Sequence, residues 1–134
     1  MTNPKIAGIA PFFIVRDVPT ALAFYRDRLG FDITFQGPEP DDIFFGIVER
    51  GAAMIMLKSV GVNPVPNYTR DVGKGWARWD AYLNVPDPDS LAAEFSSRQV
   101  TFFQPLQKRR RRIARLRAPG CRWIRFVFWH SSSR

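Results

Sequence analysis

The feature that most constrains this chain of 134 residues is an internal repeat. Setting Asp17 on Asp87 aligns Val15 with Val85 and Tyr25 with Phe95, a period of 70 residues. A period this long means a duplicated supersecondary unit rather than a solenoid. A fold built on it must use the same local architecture twice.

The first copy is readable. Residues 8–15 (Gly-Ile-Ala-Pro-Phe-Phe-Ile-Val) form an apolar run that predicts a strand. Asp17 or Thr20 can cap the helix that follows, with Pro19 in its opening turn. Ala21, Leu22, Phe24, Tyr25 and Leu29 recur at helical spacing, and Gly30 suits the C-cap. Residues 31–35 alternate as a strand, residues 37–42 carry turn chemistry, and strands follow over 43–49 and 53–58 around an Arg50-Gly51 turn. The order is β-α-β-β-β. Residues 60–77, rich in Gly, Pro and Asn, read as a connection. The order then restarts, with a strand over 79–85, a helix opening at 86–90 and continuing through Leu91, Ala92, Phe95 and Arg98, and a strand from Val100 to Phe103.

The stretch Ile14-Val15-Arg16-Asp17-Val18-Pro19-Thr20-Ala21-Leu22-Ala23-Phe24-Tyr25-Arg26-Asp27-Arg28-Leu29-Gly30-Phe31 resembles the opening signature of the glyoxalase/bleomycin resistance protein/dioxygenase superfamily, the vicinal oxygen chelate proteins. The likeness covers about residues 6–107. It implies an α+β fold in which two βαβββ modules form an eight-stranded cup-shaped sheet around a ligand site, often in a homodimer. Residues 1–134 are then one domain, with module one at about 6–59, a linker at 60–77 and module two at about 78–134.

In enzymes of that superfamily a divalent metal is held by His, Glu or Gln on cup-facing strand positions. Matched to the superfamily's motif, the resemblance puts those positions on Ala10, seven residues before Asp17, on its second-module equivalent Asp80, and on Met56. Alanine offers no donor, and a thioether suits hard and borderline ions poorly. Asp80 alone does not make a site, so no metal or other cofactor is expected. Strand alternation places Phe12 and Ile14 with Ala10, Met54 and Lys58 with Met56, and Arg78, Tyr82 and Asn84 with Asp80. The candidate ligand-binding residues are therefore Phe12, Met54, Met56, Arg78, Asp80 and Tyr82. An apolar half facing a polar half suits an aromatic or amphipathic organic molecule. Core filling by Phe12, Met54 and Met56, and a structural Asp80–Arg78 pair, are the competing readings. No catalytic residue is assigned. The single histidine, His130, lies among serines near the end, and the single cysteine, Cys121, has no partner for nucleophilic or disulfide chemistry.

Charge divides the chain. Residues 1–107 carry ten Lys/Arg against twelve Asp/Glu, whereas residues 108–134 carry ten Lys/Arg and no acid. The formal charge of +8 thus belongs to the tail. A run such as Lys108-Arg109-Arg110-Arg111-Arg112 ordinarily marks a nucleic-acid-seeking arm. The fold, however, still needs strands here. Permitted codons for Arg111 to Ser132, read one base later, can give Asp-Gly-Leu-Arg-Gly-Phe-Glu-Leu-Pro-Asp-Ala-Asp-Gly-Tyr-Val-Leu-Ser-Phe-Gly-Ile-Pro. Trp123 and Trp129 each yield Gly in that frame without any choice of codon. The shifted text resembles the superfamily's closing strand, and the expectation is a frameshift near residues 107–111. As written, Trp123, Ile124, Phe126, Val127 and Phe128 still supply an apolar run able to complete the second sheet.

Three functions compete. The first is a metal-independent small-molecule-binding protein that sequesters an aromatic or amphipathic compound. The second is a glyoxalase- or dioxygenase-type lyase or oxidoreductase with an atypical site, using Asp80 and Tyr82 as acid/base groups. The third is nucleic-acid binding through the tail, against which the acidic body argues. No apolar run approaches the roughly 20 residues of a membrane span. The opening residues lack signal-peptide architecture, so a cytoplasmic location without membrane contact is expected. Resequencing the source DNA tests the tail: one added or missing base near codons 107–111 is expected, and an intact frame shared by related genes would refute the shift.

Overall fold

The computed structural model describes residues 3–62, 81–104, 115–117 and 125–129. The first half runs β1 (Phe12–Ile14), α1 (Val18–Asp27), β2 (Asp32–Glu39), β3 (Asp42–Arg50) and β4 (Ala53–Lys58). The second runs β5 (Ala81–Asn84), α2 (Pro88–Ser97), β6 (Phe102–Gln104), β7 (Arg115–Arg117) and β8 (Arg125–Trp129). Each half forms a four-stranded sheet, in the order β1-β4-β3-β2 and β5-β8-β7-β6. In each, the first strand pairs parallel with the last and the other neighbours are antiparallel. The βαβββ unit is therefore used twice, in an α+β fold. Among the described residues the two sheets are not hydrogen-bonded to each other, and their closure into one eight-stranded cup is not seen.

The helices keep the 70-residue offset at both ends, and their boundaries carry their own reasons. At α2, Asp87 accepts hydrogen bonds from the Ser90 backbone N–H (3.2 Å) and hydroxyl (2.6 Å), a side-chain cap. At α1 the equivalent Asp17 makes no such bond to the backbone; the Thr20 hydroxyl donates to its carboxylate instead. α1 buries Val18, Ala21, Leu22 and Tyr25, one apolar stripe at helical spacing. They pack on Val48, Ile55 and Leu57, the inward-facing positions of β3 and β4. Gly46 permits the close approach of helix to sheet, since a Cβ there would stand 2.7 Å from a Leu22 methyl carbon.

Three strand boundaries differ from the sequence expectation. β1 begins at Phe12, not at residue 8, because Pro11 has no N–H to offer a ladder and only its carbonyl is used, by Met56 N–H at 3.0 Å. β2 continues through Gly37-Pro38-Glu39, read above as turn, leaving a tight reversal at Pro40 and Asp41. Pro38 tolerates this because β2 is an edge strand whose register shifts at Gly37/Pro38. The second module's return strand starts at Phe102 rather than Val100. The basic tail contributes β7 and β8, so the second sheet is completed by the chain as written.

After the helices the repeat slips by one. Gly30 takes a left-handed φ of +70°, and the corresponding left-handed residue is Gln99 at +63°, not Val100. The first buried residues beyond are Phe31 and Val100. The turn after α2 is one residue shorter, and the slip is absorbed there instead of in a strand, where it would reverse every side chain.

The modules join at the helix C-termini. Arg28 donates to the Arg98 carbonyl (2.7 Å) and to the Gln99 side-chain carbonyl (3.0 Å), while Arg98 donates to the Asp27 carbonyl (3.1 Å). Beside them Arg50 grips Glu94 with two bonds of 2.6 and 2.8 Å and also donates to the Leu29 carbonyl at 2.8 Å. Gly30 lies beneath this pair; a Cβ there would come 2.8 Å from Arg50 Nη1. The Arg50 hydrogen bond, with the charges of Arg50 and Arg98, holds the Glu94 carboxyl below its usual range. The depressed value means that this contribution is complete above about pH 4.3 and disappears as pH falls through the folded-state value. Glu94→Gln is expected to lose on the order of 1 kcal/mol at neutral pH, given that the pair is about one-third exposed and screened. Urea denaturation from pH 7 to 2 should show the gap to wild type closing on the acid side.

Candidate functional site

β-strand pairing settles which candidate residues share a face. Phe12 stands opposite Met56 and Ile14 opposite Lys58 across the parallel β1–β4 pair. Across β3–β4, Met54 faces Glu49, Met56 faces Ile47 and Lys58 faces Phe45. Directly paired residues project to the same side, so Phe12, Ile14, Met54, Met56, Lys58, Phe45 and Ile47 lie together, opposite the α1 side. Phe35 joins them from β2, opposite Ile47.

Three phenylalanines from three strands form the centre of this face. The Phe12 and Phe45 rings stack at 6.0 Å between centroids and 28° between planes, and Phe35 tilts against Phe45 at 5.8 Å and 56°. These separations are those of interacting aromatic pairs. Yet Phe12 is 51% exposed and Phe35 48%, whereas Val15, Val48 and Leu57 on the other side of the same sheet are fully buried. Met54 and Met56 are half-buried. The sheet thus has one closed face and one open aromatic and thioether face. Sequence reasoning found Phe12, Met54 and Met56 but not Phe35 or Phe45; the turn reading of residues 37–42 shortened β2 and hid its pairing with β3.

In the second half, Tyr82 is 43% exposed and takes the repeat position of Phe12. It pairs with Val127 as Phe12 pairs with Met56, making Val127 the backbone counterpart of Met56. Arg78 and Asp80 lie outside the described residues. Of the ligand positions matched above, Ala10 and Met56 carry no nitrogen, carboxylate or hydroxyl side-chain donor, and neither does Val127, the counterpart of Met56; Asp80, the one carboxylate of the set, lies outside the described residues.

A cavity of about 670 Å³ opens where the two halves meet, between the start of β4, strand β5 and helix α2. It brings Met54 and Tyr82 together, with Arg50 and Glu94 also in its lining, but neither Phe12 nor Met56 reaches it.

Residues 5–111 match the profile of the Glyoxalase/Bleomycin resistance protein/Dioxygenase superfamily. The chain belongs to that superfamily. Among solved structures, TioX from Micromonospora sp. ML1 superposes with a TM-score of 0.72 at 16% identity, over 92% of this chain and 98% of that one. The bleomycin-binding protein from bleomycin-producing Streptomyces verticillus, complexed with copper(II)-bleomycin, gives 0.65 at 22% identity over 98% and 100%. TnmS3, an antibiotic-binding protein from Streptomyces sp. CB03234, gives 0.62 at 18% over 98% and 99%. At these identities the likeness is one of fold. No curated protein matches the chain by sequence.

The open face and the core respond differently to truncation. Leu57→Ala should cost about 2–5 kcal/mol of unfolding free energy. Phe12→Ala, half solvated already, should cost less than about 1.5 kcal/mol. Urea titration of both variants measures the contrast.

Proposed function

We propose that this superfamily member is a metal-independent small-molecule-binding protein that sequesters an aromatic or amphipathic compound. The observation that carries the reading is the open face on which Phe12, Phe35 and Phe45 meet beside Met54 and Met56. Stacking on aromatic rings and adaptable contact with thioethers both favour a flat, polarisable ligand. Exposed apolar surface of this kind marks binding sites rather than idle surface. In the proposed site Tyr82 supplies the opposing half, and alternation along its strand adds Arg78 and Asp80, a cation and an anion for the polar end of the ligand. Sequestration requires no catalytic group, in keeping with a set in which Asp80 is the one carboxylate beside Ala10, Met56 and Val127. The bleomycin-binding and antibiotic-binding structures support the same class of function.

The rest of the reading is a single domain over residues 1–134, acting as a cytoplasmic homodimer, with no membrane or nucleic-acid partner and no cofactor. A thermal-shift panel of aromatic antibiotics tests it. At least one compound should raise Tm without added metal, and the shift should fall in Phe12→Ala and Met56→Ala. Asp80→Asn should weaken that binding while leaving the unliganded Tm near wild type. A shift that requires stoichiometric metal, or one indifferent to all three substitutions, would overturn the assignment.

A further inference from the structure

The cavity at the module junction differs chemically from the open face. Its inner wall is apolar and buried, with Phe31, Ile55 and Phe95 each less than 5% exposed. Among the described residues three charged side chains also line it, and all three are engaged within the protein. Arg50 and Glu94 hold each other by two hydrogen bonds, and Arg50 also donates to the Leu29 carbonyl. Asp87 has both carboxylate oxygens occupied by Ser90. Among the described residues the walls therefore offer no cation without an anionic partner, while Asp87 keeps its negative charge. An anionic ligand entering would give up its hydration with no unpaired cation among these residues to replace it, whereas an uncharged one would lose only contact with water. At about 670 Å³ the cavity has the size of sites that enclose drug-sized molecules. Its exposed lining residues include Asn84, whose amide can both donate and accept.

We propose that this cavity is a further binding pocket, taking a largely apolar molecule that carries no negative charge, with one hydrogen-bonding group directed to Asn84. It adjoins the site proposed above, with which it shares Met54 and Tyr82, but neither Phe12 nor Phe35 of the open face lines it.

The test is fluorescence titration of the full chain with N-phenyl-1-naphthylamine and with its sulfonated relative 8-anilinonaphthalene-1-sulfonate. The neutral probe should bind saturably at one per chain, and the sulfonate about tenfold or more weaker, since among the described lining residues it meets the Asp87 carboxylate and no unpaired cation. Ala52→Trp and Asn84→Trp place bulk at two exposed lining positions, where folding is little affected. Each should weaken the neutral probe about tenfold or more, while Phe12→Ala and Phe35→Ala leave it within about twofold. Absence of saturable binding, a sulfonate bound as tightly as the neutral probe, or indifference to both tryptophans would overturn the proposal. Loss of the probe in the phenylalanine variants alone would also overturn it, assigning the probe to the open face and leaving that reading standing.

Discussion

Each helix of the repeat ends in carbonyls that its own backbone cannot satisfy, and partial negative charge collects at that pole. Brought together, two such poles repel. Here the conflict is resolved by exchange: Arg28 and Arg98, the same position in two modules, each reach across to the other module's helix end. Glu94 then takes up part of the resulting positive charge, binding Arg50 twice and Arg98 at 3.2 Å. The junction is polar, geometric and partly exposed. It differs from the apolar contact between each helix and its own sheet, and it fixes where the second sheet stands relative to the first.

That arrangement explains why one face of the first sheet can remain open. α1 covers the side carrying Val48, Ile55 and Leu57, and the modules meet through helix ends rather than through the opposite side. The Phe and Met residues are thus released from the task of holding the domain together. Their exposure costs some solubility but little fold stability, a balance suited to a surface that must accept a partner molecule.

Much of the architecture was legible because it rests on local signals. The Asp17 and Asp87 pair, the stripe through Ala21, Leu22 and Tyr25, and the Gly30 turn locate both helices from sequence. Strand ends were less legible, since Pro11 and Pro38 act through ladder bonds that only partner strands reveal. For the site, alternation placed Phe12, Met54 and Met56 together, but Phe35 and Phe45 needed the β2–β3 register. The junction was invisible in the sequence. Arg28, Arg50, Glu94 and Arg98 look like scattered surface charges until the two helix ends are brought together.

The one-residue slip after α2 has a practical meaning for comparing the two halves. Counting forward by 70 pairs Gly30 with Val100, although the backbone conformation pairs it with Gln99. By strand register, Met56 corresponds to Val127, an offset of 71. Equivalence between the halves is therefore a property of hydrogen-bond partners and not of numbering. A paired mutational scan built on the sequence period alone would match β1 with β5 correctly but substitute residues on opposite faces of β4 and β8, and would misread their equivalence as asymmetry.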